Sequence, residues 1–457
     1  MTDDRTPSVA HPELTPLLRA VLVAVALAGY VGILVVRQGP PSGGDTTPLT
    51  AVTTSLSLGD LRAAATVVSL PNPPGYALLV SPLVVLLRPV IGSAVWCTPP
   101  GRIAAPARTG AGHEPGRAGT VGECGDRARA PDGVAGSALP PWYRAQGVLG
   151  VLAWMVLVAG SWMLLRAAGV TRWTSEVALV GFLVILPAAS SAIVQLFHPQ
   201  DLISFGLSAA GLALVLRRRW LGAGLLFGLA FLTKQFAVLA LVPVLVAAPD
   251  GPTRRRILGP AAAVVAAGLV PFMVVAPRAT LENLSGIGAG GAVAGATVLS
   301  LLHVSSTVSS TVARDFPVGF AVLASWWARR RISSRLLAPG PLLGLVLACL
   351  ASRLVFESVV FPYYLLAASV AFVLLDLAIG RLPDRSLAWV AATAAFVTIH
   401  PASTTVDAFG TLILAVIAVA CGWHEAMDGA AGESRVQNSQ RWGRRWGPMS
   451  RAGTGRR

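Results

Sequence analysis

GVLGVLAWMVLVAGSWMLL, the stretch from Gly147 to Leu165, runs nineteen positions without a charge and stops at Arg166. About 20 apolar residues suffice for a helix to cross the hydrocarbon core of a bilayer, so this segment reads as a membrane span. Leu17–Val36 and Tyr363–Ile379 are comparably apolar. Over all 457 residues, 54% are hydrophobic and only 12% charged, against about a quarter charged in soluble domains. Many Gly and Pro residues lie inside the apolar runs. Membrane helices tolerate them because neighbouring helices satisfy the freed backbone groups. The composition therefore points to an all-α, polytopic membrane protein.

The net charge of +15 would suggest nucleic acid for a soluble protein. Here it reads as loop arginine on the cytoplasmic side of a bilayer, and no nucleic-acid partner is expected. Of 36 basic residues, Lys234 is the one lysine. The Arg, Ala and Gly bias has the look of a high-GC bacterium. The first apolar run is too long for a signal-peptide core and no small-residue cleavage site follows it, so a signal anchor is expected.

Arginine clusters thread the chain. They are Arg166/Arg172, Arg217–Arg219, Arg254–Arg256, Arg329–Arg331 with Arg335, and Arg381/Arg385. Each successive pair must be separated by an even number of crossings. Two apolar runs, roughly 174–196 and 202–216, separate Arg172 from Arg217, which puts Phe197–Asp201 outside. The same parity puts Thr233-Lys234-Gln235, the Gly/Ser/Thr-rich stretch before 316, and Arg353–Phe361 outside. A spanning 75–96 segment would invert everything downstream. Residues 76–96, with Pro82, Arg88 and Pro89, are therefore read as interfacial or re-entrant. The expected organisation is a cytoplasmic N-terminus (1–15), a membrane domain (16–422) of about 12 transmembrane helices, and a disordered basic tail (423–457). Residues 37–145 form one large extracytoplasmic loop. Its Cys97 and Cys124 form a disulfide or remain two free thiols; an outer compartment permits the bond. Cys349 and Cys421 read as packing residues. Tyr30, Trp142, Trp173, Trp220, Trp326 and Trp327 read as an aromatic belt.

The polar residues of the membrane region gather on the outer side. They are Asp45 and Asp60, then His198 with Asp201, then Lys234, then Arg353, Glu357, Tyr363 and Tyr364. Ionisable groups at membrane depth are costly and usually functional. No Walker motif, dinucleotide fingerprint, haem site or Cys-based zinc site is present, which argues against a nucleotide-driven pump.

Three elements stand in order in the first loop: Gly44-Asp45, Gly59-Asp60-Leu61-Arg62, and Asn72-Pro73-Pro74-Gly75-Tyr76. His198-Pro199-Gln200-Asp201 and Leu232-Thr233-Lys234-Gln235 follow. In order, spacing and shared side these resemble the GT-C superfamily, the membrane glycosyltransferases that take sugars from polyprenyl-phosphate carriers. The likeness is to protein mannosyltransferases, aminoarabinose transferases and actinobacterial mannosyltransferases, and extends over 16–250, with 250–380 matching by topology. Asn72 stands where the aminoarabinose transferases have a basic residue, which leaves the acceptor open.

The resemblance implies transfer of mannose or arabinose from a polyprenyl-phosphate donor at the outer face of the plasma membrane, with Asp45 as the base that deprotonates an acceptor hydroxyl. A carboxylate at a dehydrated interface suits general-base work; a solvated loop residue or helix cap is the alternative. Asp60 precedes an amphipathic segment and reads first as a cap, and Tyr76 as a supporting residue. His198 and Asp201 read as holding a divalent cation (Mg or Mn), as positioning the donor phosphate, or as structural. Lys234 reads as a counter-ion to lipid phosphate, an intramembrane ion-pair partner, or a snorkelling side chain. Arg353 and Glu357 read as an i,i+4 pair, with phosphate contact by Arg353 as the sharper alternative. The rival readings are a transporter or flippase for a lipid-linked intermediate and a non-catalytic member of the same fold.

Overall fold

The computed structural model describes residues 141–195, 198–285, 306–333, 335–357, 362–380, 384–399 and 408–427, with Thr297, Leu299 and isolated positions between 56 and 86. Among these residues there is no strand. The helices are α1 (Pro141–Ala167), α2 (Trp173–Ile185), α3 (Pro187–Ser190) leading into a π-helical turn, α4 (Pro199–Leu216), α5 (Trp220–Thr233) and, after a tight turn at Gln235–Ala237, α6 (Val238–Ala247). They continue with α7 (Gly251–Val275), α8 (Pro277–Ser285), α9 (Ser306–Ile332), α10 (Pro339–Phe356), a second tight turn at Pro362–Tyr364, α11 (Leu365–Ala378) and α12 (Asp384–Ile399). The last is α13 (Ala408–Met427).

Five segments are long and apolar enough to cross a bilayer: Leu149–Ala167 of α1, and α4, α7, α10 and α13. A sixth is α2 taken with Pro187–Ile193, bent by 57° where Pro187 interrupts the helix. Four shorter apolar helices accompany them, including Trp220–Thr233 and Gln235–Ala247 on either side of Lys234. The chain is thus a multi-pass helical membrane protein. The expected count of about twelve crossings includes the run at 16–36, which lies outside the described residues, as does most of the 37–145 loop. The tail expected from 423 begins instead as helix, α13 running to Met427, and its remainder lies outside the described residues.

Lipid is as apolar as leucine, so helices in a bilayer associate by close packing rather than by hydrophobic burial. Small residues permit it here. A β-carbon at Gly160 of α1 would sit 1.9 Å from the Gly206 carbonyl oxygen of α4, and one at Gly344 of α10 would sit 2.5 Å from that of Gly422 of α13. These backbones touch. The outer surface is left apolar for lipid, with Val274, Leu323 and Ile413 exposed.

The same contacts give the helix directions. Gly211 meets Phe227 and Gly222 meets Leu214, so α4 and α5 are antiparallel. Gly224 meets Ile257, Gly228 meets Ala261 and Leu232 meets Gly268, so α5 and α7 run the same way. Arg329 near the end of α9 donates to the Val246 and Ala248 carbonyls at the end of α6, which puts those two ends together. Arg385 and Trp389 of α12 meet Asp376 and Phe372 of α11, an antiparallel hairpin. The exposed clusters Arg217–Arg219 and Arg330–Arg331, with the largely exposed Arg254–Arg256, therefore share one end of the bundle. His198–Asp201, Lys234, Arg353, Glu357, Tyr363 and Tyr364 share the other. Arg254–Arg256 lie in the first two turns of α7, near the end where cations oppose the helix dipole. Asp250 offsets this by capping the helix, accepting from the Thr253 N–H at 2.7 Å.

The few described residues of the first loop pack at the second end. Ala64 is buried with Phe272 near the end of α7, and Leu56, Leu61, Leu78 and Ala276 pack around them.

Candidate functional site: a buried charged cluster at the end remote from the arginines

Three local features build the site. Pro199 takes the first turn of α4, where its missing N–H costs nothing, and His198 stands immediately before it as the N-cap. Asp201 follows in the first turn, where the helix dipole favours a carboxylate. One turn further, Ser204 donates to the Ala230 carbonyl at 3.0 Å and lies 3.5 Å from that of Lys234. Those carbonyls belong to the end of α5, where Lys234 is extended (φ −157°, ψ 131°) before the tight turn at Gln235. A break at this depth needs its freed backbone groups satisfied. Ser204 helps do so, and thereby fixes the start of α4 beside the break. The third feature is Pro362–Tyr364, which presents two tyrosines ahead of α11.

Lys234 Nζ lies 3.8 Å from Asp201 Oδ2, and His198 Nδ1 lies 3.7 Å from the same oxygen. All three side chains are buried. Gln200 Nε2 is 2.8 Å from His198 Nδ1, a contact whose direction follows the tautomer of the ring. Tyr363 stacks on His198, ring centroids 4.0 Å apart, and meets Tyr364 edge-on at 4.6 Å. The Arg353 guanidinium lies over Tyr364 at 4.6 Å and over Phe236 at 5.4 Å, while its Nε donates to Glu357 at 2.6 Å. Phe236 follows Lys234 by two residues and closes the ring of contacts.

Of the residues singled out in the sequence, His198, Asp201, Lys234, Arg353, Glu357, Tyr363 and Tyr364 are gathered in one cluster. Arg353 and Glu357 form the expected i,i+4 pair, and Lys234 has a carboxylate within ion-pair range. Asp45, Asp60, Tyr76, Cys97 and Cys124 lie outside the described residues; Cys349 and Cys421 are free thiols, Cys349 buried in α10. Phe236 enters the site without any mark in the sequence, and Gln200 enters it from the His198–Asp201 motif, where no role attaches to it. Phe236 is one apolar residue in an apolar run, and Gln200 is an ordinary helix-start residue until its amide is seen against His198.

Two oxygens in the cluster, Asp201 Oδ2 and Gln200 Oε1, are buried without a hydrogen bond among the described residues. Buried acceptors normally have a partner, so the cluster retains capacity for a ligand's donors. Its cations suit an anion: Lys234 holds Asp201 beyond hydrogen-bond distance, and an ammonium with three donors can turn to a phosphate. A divalent cation fits less well. Among the described residues no three His, Cys, Asp or Glu side chains converge, and the Lys234 ammonium already stands beside the Asp201 carboxylate.

The class that fold and site define is a multi-pass helical membrane protein with a buried, charge-bearing cluster at one end of its bundle. Neither protein-family models nor curated proteins give a match. Among solved structures, the chain is similar to the crystal structure of ArnT from Cupriavidus metallidurans bound to undecaprenyl phosphate. The two share 16% identity with a TM-score of 0.47, over 95% of this chain and 82% of that one.

Proposed function

We propose that this chain is a GT-C-type membrane glycosyltransferase that moves a sugar, mannose or arabinose, from a polyprenyl-phosphate carrier to an extracytoplasmic acceptor. The observation that carries the reading is the convergence of Asp201, His198, Lys234 and Arg353. His198, Asp201 and Lys234 lie in the motifs read as candidates for the donor phosphate or a metal, and Arg353 is a further candidate for that phosphate. The four meet in one cluster at the end away from the arginine triplets.

In the proposed reaction Asp45 takes the proton of an acceptor hydroxyl. The hydroxyl oxygen attacks the anomeric carbon with inversion. The bond from that carbon to the carrier phosphate oxygen breaks, and the electron pair leaves with the polyprenyl phosphate. Negative charge grows on the departing phosphate, so cations are most useful there. Lys234 fits that role best because its carboxylate partner is loosely held. Arg353 is committed to Glu357 at 2.6 Å and stacked on Tyr364, which favours a positioning role for it. His198, held by Gln200 and Tyr363, presents its ring to an oxygen of the donor.

The test uses the full chain in proteoliposomes with radiolabelled polyprenyl-phosphate mannose and polyprenyl-phosphate arabinose. Release of free polyprenyl phosphate is expected with one of them. Lys234→Ala should lower that rate about 10²–10³-fold, the usual cost of removing one preorganised charge-stabilising group, and Asp45→Ala should stop acceptor-dependent turnover. Movement of intact labelled lipid across the bilayer, with no sugar released, would make the protein a flippase instead.

A further inference from the structure

We propose that the arginine-rich end carries a second anion site, which takes the phosphate of an anionic lipid headgroup. A cavity of about 660 Å³ opens there between the end of α6, the start of α7 and the end of α9. Arg254, Arg329 and Arg330 line it together with Leu245, Val246 and Trp326. It lies at the opposite end of the bundle from the cluster around Asp201 and belongs to none of the chemistry proposed above.

Each arginine is held differently, and the differences point to a ligand. Arg329 is anchored: it donates to the last carbonyls of α6, at 3.1 Å in the case of Ala248. Arg330 lies over the Trp326 ring with its guanidinium 3.7 Å from the centroid, a geometry that holds the fork in place without using its N–H donors. Arg254 has a buried Nε with no hydrogen-bond partner among the described residues. Asp250 is the carboxylate nearest Arg254 in sequence, and it is engaged in capping α7 through Thr253. No acidic side chain lines the cavity. Three guanidinium forks with donors to spare around one space match a phosphate, which they can grip bidentately.

The walls name the rest of the ligand. Leu245, Val246 and the Trp326 ring give the cavity an apolar floor. Leu258 lies one turn beyond Arg254 on the same face of α7, and Val322 and Leu323 one turn before Trp326 on α9; all three are exposed. The cavity thus opens at the edge of the lipid-facing surface, beside a tryptophan of the kind found at the membrane interface. A diacylglycerol phosphate seated here would keep its headgroup among the arginines and its chains along α7 and α9. The volume exceeds what a phosphate alone fills and falls within the roughly 300–1,000 Å³ of small-molecule sites.

The test is lipid retention by the purified full chain in neutral detergent, read by native mass spectrometry during titration with phosphatidylglycerol or phosphatidylcholine. Phosphatidylglycerol should bind in preference to phosphatidylcholine. Arg254→Gln with Arg330→Gln should weaken that binding about tenfold or more, as expected for losing charge-assisted hydrogen bonds. Arg217→Gln with Arg219→Gln removes the same charge at the same end but outside the cavity, and should leave affinity unchanged. A lysine pair, Arg254→Lys with Arg330→Lys, keeps the charge and loses the fork; it should fall between, and it carries the test if the glutamine pair folds poorly. Inorganic phosphate separates the sources. If it fails to compete, the lipid is the ligand; if it binds in its own right and is lost in the cavity variant, the site stands with a free phosphate group as ligand. Equal losses in the cavity and control pairs, or equal retention of both lipids, would overturn the proposal.

Discussion

Asp376 and Asp201 are buried aspartates at opposite ends of the bundle, and they are treated oppositely by their surroundings. Asp376, in α11, is fully buried and accepts from Arg385 Nε at 3.0 Å and from Ser386 Oγ at 2.8 Å. Arg385 in turn reaches Glu425 of α13 at 2.9 Å. Every charge there has a partner, and the network ties α11, α12 and α13 together. Asp201 has Lys234 at 3.8 Å and His198 at 3.7 Å, and its Oδ2 accepts no hydrogen bond among the described residues. A carboxylate held in a completed network is doing structural work. One left incomplete beside a lysine, a histidine and a break between two helices can still be completed by a substrate.

The sharpest way to break this comparison is to neutralise each aspartate in turn. Asp376→Asn should destabilise the protein by about 1–3 kcal/mol, because Arg385 loses its bonds to the Asp376 carboxylate and keeps only Glu425. This would appear as a lower melting temperature in detergent, with turnover per folded molecule intact. Asp201→Asn should do the reverse, with sugar release falling about 10²-fold and a smaller change in melting temperature than for Asp376→Asn. If the two variants exchange phenotypes, the site has been placed at the wrong end.

A smaller effect sharpens the role of the tyrosines. Tyr363 holds His198 by stacking, a contact worth about 1 kcal/mol, so Tyr363→Leu should raise the KM for the lipid-linked donor about fivefold. Tyr363→Phe, which keeps the ring, should restore it. Failure of the phenylalanine variant to rescue would show that the hydroxyl, not the stack, is what matters.

The smallest effect belongs to the arginine end. The Thr253 side chain and N–H, with Arg256 and Arg254, hold the Asp250 carboxyl below its ordinary value of 3.8. A lowered carboxyl stabilises the folded state above about pH 4 and ceases to do so as the pH falls through its folded value. Asp250→Asn should therefore lower the melting temperature slightly at pH 7, and the difference should shrink as the pH is taken below the carboxyl's lowered value. A difference that persists in acid would assign the effect to cap geometry instead of charge.

Much of the architecture was legible. Runs such as Gly147–Leu165 could only be membrane helices, and the arginine triplets sorted the helix ends correctly among the described residues. That sorting put His198, Asp201, Lys234 and Arg353 at one end before any contact was known. The partners were less legible. Lys234 admitted a lipid phosphate, an ion pair or snorkelling, since a lone cation in an apolar stretch satisfies all three. Phe236 carried no signal, because an aromatic in an apolar run is commonplace, and Gln200 stood in a motif without a role, because a glutamine at a helix start is equally ordinary. Arg254, Arg329 and Arg330 read as markers of sidedness alone, and nothing local says that they surround one cavity. The expected base Asp45, with Asp60, Tyr76 and the Cys97–Cys124 pair, lies outside the described residues.

Sequence alone determined that the chain spans a membrane repeatedly, which ends of its helices share a side, and that a turn falls at Lys234. Those properties depend on local hydropathy, on charge at helix termini, and on prolines and polar interruptions, all of which a linear reading carries. Tertiary structure alone decided which charges complete one another. It set Asp201 against Lys234, satisfied Asp376, and drew three arginines around one space. Such pairings depend on the rotation and depth of each helix against its neighbours, set here by glycine contacts such as Gly160 with Gly206 and Gly344 with Gly422, and a periodic apolar sequence specifies neither.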